Sequence, residues 1–354
     1  MDTGARDDGQ PDGHEGDGPE GDRDDGHGRG FLDLTDGAAL LDLGPGSPEA
    51  REVVHASGAD RVRFLNGIVT GSVATTPVGG GCHATLLTLK AHVVAELRIF
   101  VRPEDVRLVV AGGQGVSVAA ALARYAITDD FDATPMTNFA LLGLLGPAAD
   151  RHLLELGYPV GALAEGATWS HAESVGPFGA LWLVRVHQLG ADGYWIGAPG
   201  ATLARVREAL GARGLATLTP GAATAARVVA FEPAWGREIT DGHFPMEVGL
   251  ADTIDYKKGC FLGQEPIVRI RDRGHLNWRL AQLQVVGEGA LPDPATWQIE
   301  ASSKARAGTL TTVARVPGEG VLALALLHAS VQVGATVALV GPEGARLEAT
   351  VVRD

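Results

Sequence analysis

From about Phe31 onward the chain is built of short apolar runs separated by glycine- and proline-bearing turns. Val53-Val54, Leu86 to Leu89, Val93 to Val101 and Val106 to Val110 read as strands, and Arg61 to Gly67 reads as a helix. An alanine-rich helix over Val116 to Tyr125 follows the turn Gly112-Gly113-Gln114-Gly115. A second unit spans 139–218: a strand at Leu141 to Leu145, a helix at Ala148 to Leu156, strands at Trp182 to Val186 and Tyr194 to Ile196, and a helix at Ala201 to Leu210. After Pro220 a helical stretch, Ala222 to Phe231, leads into a segment rich in glycine and charged residues that lasts to Gly274. From Trp278 the pattern is strands only, with turns at Gly287-Glu288-Gly289, Pro317-Gly318-Glu319-Gly320 and Gly341-Pro342-Glu343-Gly344, which predicts a small β-barrel over 278–354. The fold class is α+β.

Composition places this pattern in the soluble globular class, since 45% of the 354 residues are hydrophobic and 20% charged. Apolar runs such as Val321 to Leu327 are far shorter than the roughly 20 residues needed to cross a bilayer, so no membrane partner is expected. The N-terminus lacks the basic-then-apolar order of a secretory signal. With only Cys82 and Cys260 there is no disulfide framework, and a cytoplasmic location is the expectation. Neither a CxxC nor a paired-histidine spacing is present, so no metal site is expected.

Charge is unevenly spread. The net charge is −14, and residues 1–30 hold ten acids against three bases, half of that total. Such a glycine-rich acidic segment cannot bury enough apolar surface to order itself and is read as a disordered, solubilising tail. An acidic protein offers no general attraction for nucleic acid, and direct binding is not expected. The glycine turn at 112–115 resembles a dinucleotide-binding turn only superficially, because the GxGxxG spacing and the ribose-binding acid are missing.

The strongest chemical signal is Lys257-Lys258-Gly259-Cys260-Phe261-Leu262-Gly263-Gln264-Glu265. A thiolate is stabilised by neighbouring positive charge, and glycines let a loop turn tightly, so Cys260 and Lys258 are the candidate reactive pair. By spacing alone the run also fits a strand-to-helix turn in which the cysteine packs as a small hydrophobe.

Within this run, the octapeptide Lys258 to Glu265 resembles the KGC[YF]xGQE signature of the YgfZ proteins, folate-binding relatives of the glycine-cleavage T protein. Upstream, Arg227 to Glu232, Gly236-Arg237-Glu238 and Pro245-Met246-Glu247 are similar to the family's R-x-E-x-G…P-x-E approach, and Arg269 to Leu280 to its exit. Ser57-Gly58-Ala59-Asp60…Phe64-Leu65-Asn66-Gly67…Thr70 is similar to its N-terminal GxDAxxFLQGQxTND pattern.

The resemblance implies a three-domain cloverleaf around a central cavity for tetrahydrofolate or a related reduced folate. Its parts would be a discontinuous folate-binding domain (31–138 and 219–277), a small ferredoxin-like α+β domain (139–218) and the barrel. It implies Glu232 as the carboxylate at the amide-like pterin edge, Arg237 for the folate glutamate tail, Trp235 as a stacking wall, and Gln264, within the octapeptide, as a further folate contact. A carboxylate accepts such an edge through two oxygens, and a guanidinium can grip a carboxylate with two bonds, although a surface glutamate before Pro233 fits Glu232, and a plain salt bridge Arg237, as well.

Departures from the family pattern decide between two functions. Where T proteins carry an aspartate pair, this chain has Ala91-His92-Val93-Val94-Ala95-Glu96-Leu97, and Thr70-Gly71-Ser72 lacks the family's Asn-Asp. Glu96 is one methylene longer than aspartate, which displaces a carboxylate whose alignment sets the rate. The expectation is therefore a folate-binding accessory protein supporting iron–sulfur cluster assembly or repair, with an indirect effect on tRNA modification. Its partners would be iron–sulfur proteins or their assembly factors, and Cys260 its working thiol. The alternative is a tetrahydrofolate-dependent aminomethyltransferase or demethylase.

Overall fold

A computed structural model describes residues 34–287, 293–302 and 304–354. The tail expected over 1–30 and most of the turn expected at 287–289 lie outside these residues.

The chain begins with β1 (Ala39–Asp42), β2 (Arg51–Ser57), α1 (Arg61–Ile68), β3 (Gly81–Leu87), β4 (Val93–Val101), β5 (Val106–Ala111), α2 (Gly115–Ala123) and β6 (Asp132–Pro135). It continues through β7 (Phe139–Leu145), α3 (Ala149–Glu155), β8 (His171–Gly176), β9 (Gly179–Gln188), β10 (Ala191–Pro199), α4 (Gly200–Gly211), α5 (Pro220–Ala230) and α6 (Gln264–Arg273). Six strands follow, β11 (Trp278–Val285), β12 (Gln298–Ala301), β13 (Lys304–Val316), β14 (Gly320–His328), β15 (Thr336–Val340) and β16 (Arg346–Arg353). The last six close into a barrel in the order β11-β14-β13-β12-β15-β16, as the strand-only pattern predicts.

The other strands form two five-stranded antiparallel sheets, β3-β4-β5-β2-β6 and β1-β7-β10-β9-β8. Strand β1 departs from the expected division at 138/139: it falls within 31–138, yet Leu40 lies opposite Leu144 of the second sheet. Pairing with β7 covers what would otherwise be an open sheet edge. Strand β8 was not expected, because as an edge strand it alternates weakly and leaves Val175 exposed.

Alternation along β4 explains how the sheets meet. Ala95, Leu97, Ile99 and Val101 face a core under α1 and α2 that includes Phe64, Leu65 and Leu122. Phe100, on the opposite face, joins Val53 and Val109 in a second core with Trp182 and Trp195 of the other sheet. Its ring stands edge-on to Trp182 at 5.1 Å, a favoured aromatic geometry. On that same face, two and four residues earlier, stand Arg98 and Glu96. The interface between the sheets is thus apolar at one end and charged at the other.

The glycine turn before α2 serves the fold. Glu52 accepts hydrogen bonds from the amides of Gly113 (2.9 Å) and Gly115 (2.6 Å), so the protein's own carboxylate fills the helix N-terminus. Helix α5 docks on the barrel through Val228, Leu322 and Leu324. Among the described residues, no helix is long and apolar enough to cross a membrane.

Candidate functional site

The charged end of the sheet interface encloses a cavity of about 260 Å³. The first sheet contributes Arg51 from β2, His83 from β3, and Glu96 and Arg98 from β4, with Glu49 just before β2. The second contributes His187, Gln188 and Trp195, with Trp169 ahead of β8. Phe231, Glu232 and Pro233 after α5, together with Gly249, Leu250 and Asp252, complete the wall.

Glu96 is the most constrained of these groups. Its Oε1 lies 2.6 Å from Arg98 Nη1 and 2.8 Å from His83 Nε2. Burial pushes its carboxyl up, but Arg98, His83 and Arg51 outweigh that and hold it well below the ordinary carboxylate range. Glu232 behaves oppositely. Burial in the cavity raises its pKa, Glu49 adds to the rise, and the backbone amides of Leu189 and Gly190 with the Arg98 charge only partly offset it. Its Oε1 accepts from Gly190 N at 3.3 Å. Among the four carboxylates in the wall, Glu96 is therefore held firmly ionised while Glu232 is shifted toward its protonated form. Such a pair is a common basis for dividing acid and base roles.

Aromatic and cationic groups complete the lining. The Arg98 guanidinium sits 5.5 Å from the centroid of the Trp169 ring. Trp169 itself has φ +74, an uncommon conformation for a bulky residue and of the strained kind that concentrates at functional sites. Trp195 Nε1 donates to Gln188 Oε1 (2.8 Å), and Gln188 Nε2 donates to Glu49 (3.2 Å), which locks that wall. Arg51 Nε and Arg98 Nε are buried without acceptors.

The structure divides the residues expected from the sequence. Glu232 lines the cavity. It does so three residues beyond Val229, where an acid spaced as R-x-E from Arg227 would fall; left-handed Phe231, ending α5, carries the chain there. Trp235 and Arg237 instead line a separate depression of about 780 Å³ between the start of α5 and the barrel strand β13. Gln264 opens α6, its backbone N–H donating to Phe261 O (3.2 Å). Cys260 is exposed and is not among the residues lining the central cavity.

Lys258 points to the end of α1, not to solvent. Its ammonium donates to the carbonyls of Asn66 (2.6 Å), Val69 (2.8 Å) and Gly71 (2.7 Å). Three N–H bonds meet three acceptors at a helix C-terminus, where positive charge is favoured. Burial pushes its pKa down to about 8, against the pull of Cys82 and Asp255. The thiol that shares its field is Cys82, whose own pKa burial raises while Thr76 and Lys258 oppose. Among the described residues, no cluster of three or more His, Cys, Asp or Glu side chains could hold a metal ion.

His83, Arg51, Arg98 and Trp169 were missed by the sequence reading. A signal existed for one of them: Glu96 and Arg98 are two charges at alternate positions of an otherwise apolar nine-residue strand, a pattern that marks a polar face turned inward. Trp169 sits in an irregular stretch with no period to flag it.

Comparison with known proteins agrees with this architecture. The family model for the GCVT N-terminal domain matches residues 49–258. The aminomethyltransferase of Symbiobacterium thermophilum is 33% identical over 159 residues, 43% of this chain and 42% of that protein. The aminomethyltransferase of Listeria monocytogenes serotype 4b (strain F2365) is 23% identical over 239 residues, 67% of this chain and 65% of that protein. The matches thus span 42% to 65% of these relatives' length. Among solved structures, glycine cleavage system aminomethyltransferase T from Bartonella henselae superposes with a TM-score of 0.80 at 20% identity, covering 92% of this chain and 88% of that one, a likeness of fold.

Proposed function

Because the chain belongs to the family of the GCVT N-terminal domain, which matches 49–258, we propose that it is a tetrahydrofolate-dependent transferase of the aminomethyltransferase type, acting in the cavity between its two sheets. The observation that carries this reading is Glu96: an ionised carboxylate in the cavity wall, within the stretch 91–97 that corresponds to the T-protein aspartate pair, where it can substitute for the missing aspartate. The missing aspartates weigh against transfer, and the relatives named aminomethyltransferase favour it. The cloverleaf arrangement and the division into a folate-binding domain, a ferredoxin-like domain and a barrel are parts of the same proposal.

The cavity residues fit a reduced folate. Glu232 brings two carboxyl oxygens to the cavity wall, which suit the paired donors of the amide-like edge of a pterin. Phe231 and Trp169 offer ring faces, and Arg51 and Arg98 hold buried donors without acceptors. At about 260 Å³ the cavity is slightly smaller than pockets that enclose drug-sized ligands, about 300–1,000 Å³, so it suits the bicyclic ring and not the whole cofactor. When bound, a reduced folate would supply the nitrogen that accepts the one-carbon unit. The chain's own part is to orient that ring, exclude water and keep Glu96 charged beside it.

The test is aminomethyl transfer from a lipoylated carrier protein to tetrahydrofolate, with calorimetry of tetrahydrofolate binding alongside. Turnover is expected in the wild type, and Glu232→Ala should weaken folate binding about tenfold, a loss of about 1.4 kcal/mol. A protein that binds tetrahydrofolate but gives no turnover would overturn the transferase reading. Unchanged affinity in Glu232→Ala would remove that residue from the site.

One observation favours the second reading, an accessory factor for iron–sulfur proteins. Cys260 lies exposed on its octapeptide loop, outside the cavity, where a partner could reach it. On that reading Cys260→Ser fails to restore iron–sulfur enzyme activity in a strain lacking the protein. Full complementation excludes a working thiol.

A further inference from the structure

Resting on the transferase reading, we propose that His83 takes up and returns the proton in this cavity, and that Glu96 and Asp252 determine which of its ring nitrogens does so. His83 stands on β3, on the face that lines the cavity. Its Nε2 lies 2.8 Å from Glu96 Oε1, and that same oxygen is 2.6 Å from Arg98 Nη1.

The tautomer follows from these contacts. Glu96 is held as a carboxylate and can only accept, so the hydrogen between it and the imidazole belongs to Nε2. In the neutral ring Nδ1 is then bare, with a lone pair ready for a proton. Asp252 Oδ2 lies 3.9 Å from Nδ1, and the Asp252 side chain is 76% exposed. A proton gained at Nδ1 thus meets a second anion that is in contact with water. A carboxylate orienting an imidazole so that its far nitrogen does the proton transfer is the arrangement of hydrolase triads.

Glu96 is poorly suited to that task itself. The charges that keep it ionised also lower its affinity for a proton, whereas a general base works best with a proton affinity matched to the medium. The groups facing His83 are Glu96 and Arg98 from β4, Asp252 from the 251–253 turn, and the Trp169 ring 6.2 Å away, with Arg51 acting on it through Glu96.

The step balances without an outside reagent. A C–N bond forms at the accepting amine as its N–H bond breaks, and that proton goes to His83 Nδ1. The bond from the transferred carbon to the donor heteroatom breaks with its electron pair passing to the donor, which takes the proton back from Nδ1. Nothing is oxidised or reduced.

The test uses the full chain and two readouts. Nitrogen-15 spectra of the free protein, with His83 assigned by its disappearance in His83→Gln, should show the neutral ring protonated at Nε2 and bare at Nδ1. In the transfer assay His83→Gln, whose amide can still donate to Glu96, should lower kcat about 100-fold and leave tetrahydrofolate affinity by calorimetry unchanged. A neutral ring protonated at Nδ1, or a His83→Gln kcat within threefold of wild type, overturns the proposal. If the wild type shows no transfer, the transferase reading falls and the proton-transfer role of His83 falls with it; if transfer occurs, the spectra and the His83→Gln kcat test that role separately.

Discussion

Glu96 and Glu232 share one cavity yet shift in opposite directions, because burial acts on both and only Glu96 gains a guanidinium at 2.6 Å and an imidazole hydrogen bond at 2.8 Å. The sign of their effect on stability follows. Glu96 has a folded pKa below its unfolded value of 4.5, so it stabilises the fold above that pH and loses the contribution as pH falls further. Glu96→Ala should cost about 3 kcal/mol near neutral pH, since it leaves the half-buried Arg98 guanidinium without its carboxylate. Urea unfolding at pH 7 and pH 4 checks this, the gap between wild type and variant narrowing at the lower pH. Glu232 has a raised folded pKa, so its contribution is present below 4.5 and lost as pH rises through the folded value. Glu232→Gln should therefore raise Tm at pH 7 by about 2 °C and leave it unchanged at pH 4, as calorimetry of the ligand-free protein would report.

At the scale of elements, the octapeptide is better explained by its packing than by its letters. The sequence treats Gly259 and Gly263 alike, as residues that let the loop turn. Gly263 has φ +78, and a Cβ there would lie 2.6 Å from the carbonyl oxygen of Thr88 in the β3–β4 turn. Gly259 has open space and no positive φ. Gly263→Ala should lose about 1–3 kcal/mol, while Gly259→Ala should stay within about 0.5 kcal/mol of wild type, both measured by denaturant unfolding. Equal effects would show that the loop does not pack on that turn. Lys258 follows the same logic: three carbonyls at the end of α1 place it, whereas the sequence paired it with its neighbour Cys260. Helix α6 escaped sequence analysis because Ile267 is its one buried residue, leaving no apolar stripe to read.

For the whole molecule, the barrel is joined to the cavity through a buried ion pair. Arg227 donates to Glu238 (2.8 Å) and to Thr312 on β13 (2.9 Å), and lies 3.6 Å from Glu49. Glu238, fully buried, also accepts from Ala234 N, Thr311 and Thr312. Arg227 lines both the central cavity and the Trp235–Arg237 depression, so it forms part of the wall between them. Arg227→Met should destabilise by about 3–5 kcal/mol, because Glu238 would be left charged and unpaired in the interior. Thermal unfolding followed by barrel and sheet tryptophans would show it, and an unchanged Tm would exclude the pair as the joint.

The sequence by itself determined most strands, most helices and the terminal barrel, since alternation and turn chemistry act over a few residues. The octapeptide and its flanks also carried the family resemblance. Tertiary structure alone decided the site. Arg51, His83, Glu96, Trp169, Glu232 and Asp252 come from six separate stretches, and none has a local pattern that names its neighbours. Whether Glu96 is ionised and Glu232 shifted toward its protonated form depends on which charges stand within a few ångströms. That is a property of the packed sheets, because electrostatic and hydrogen-bonding partners are set by distance in space and not by distance along the chain.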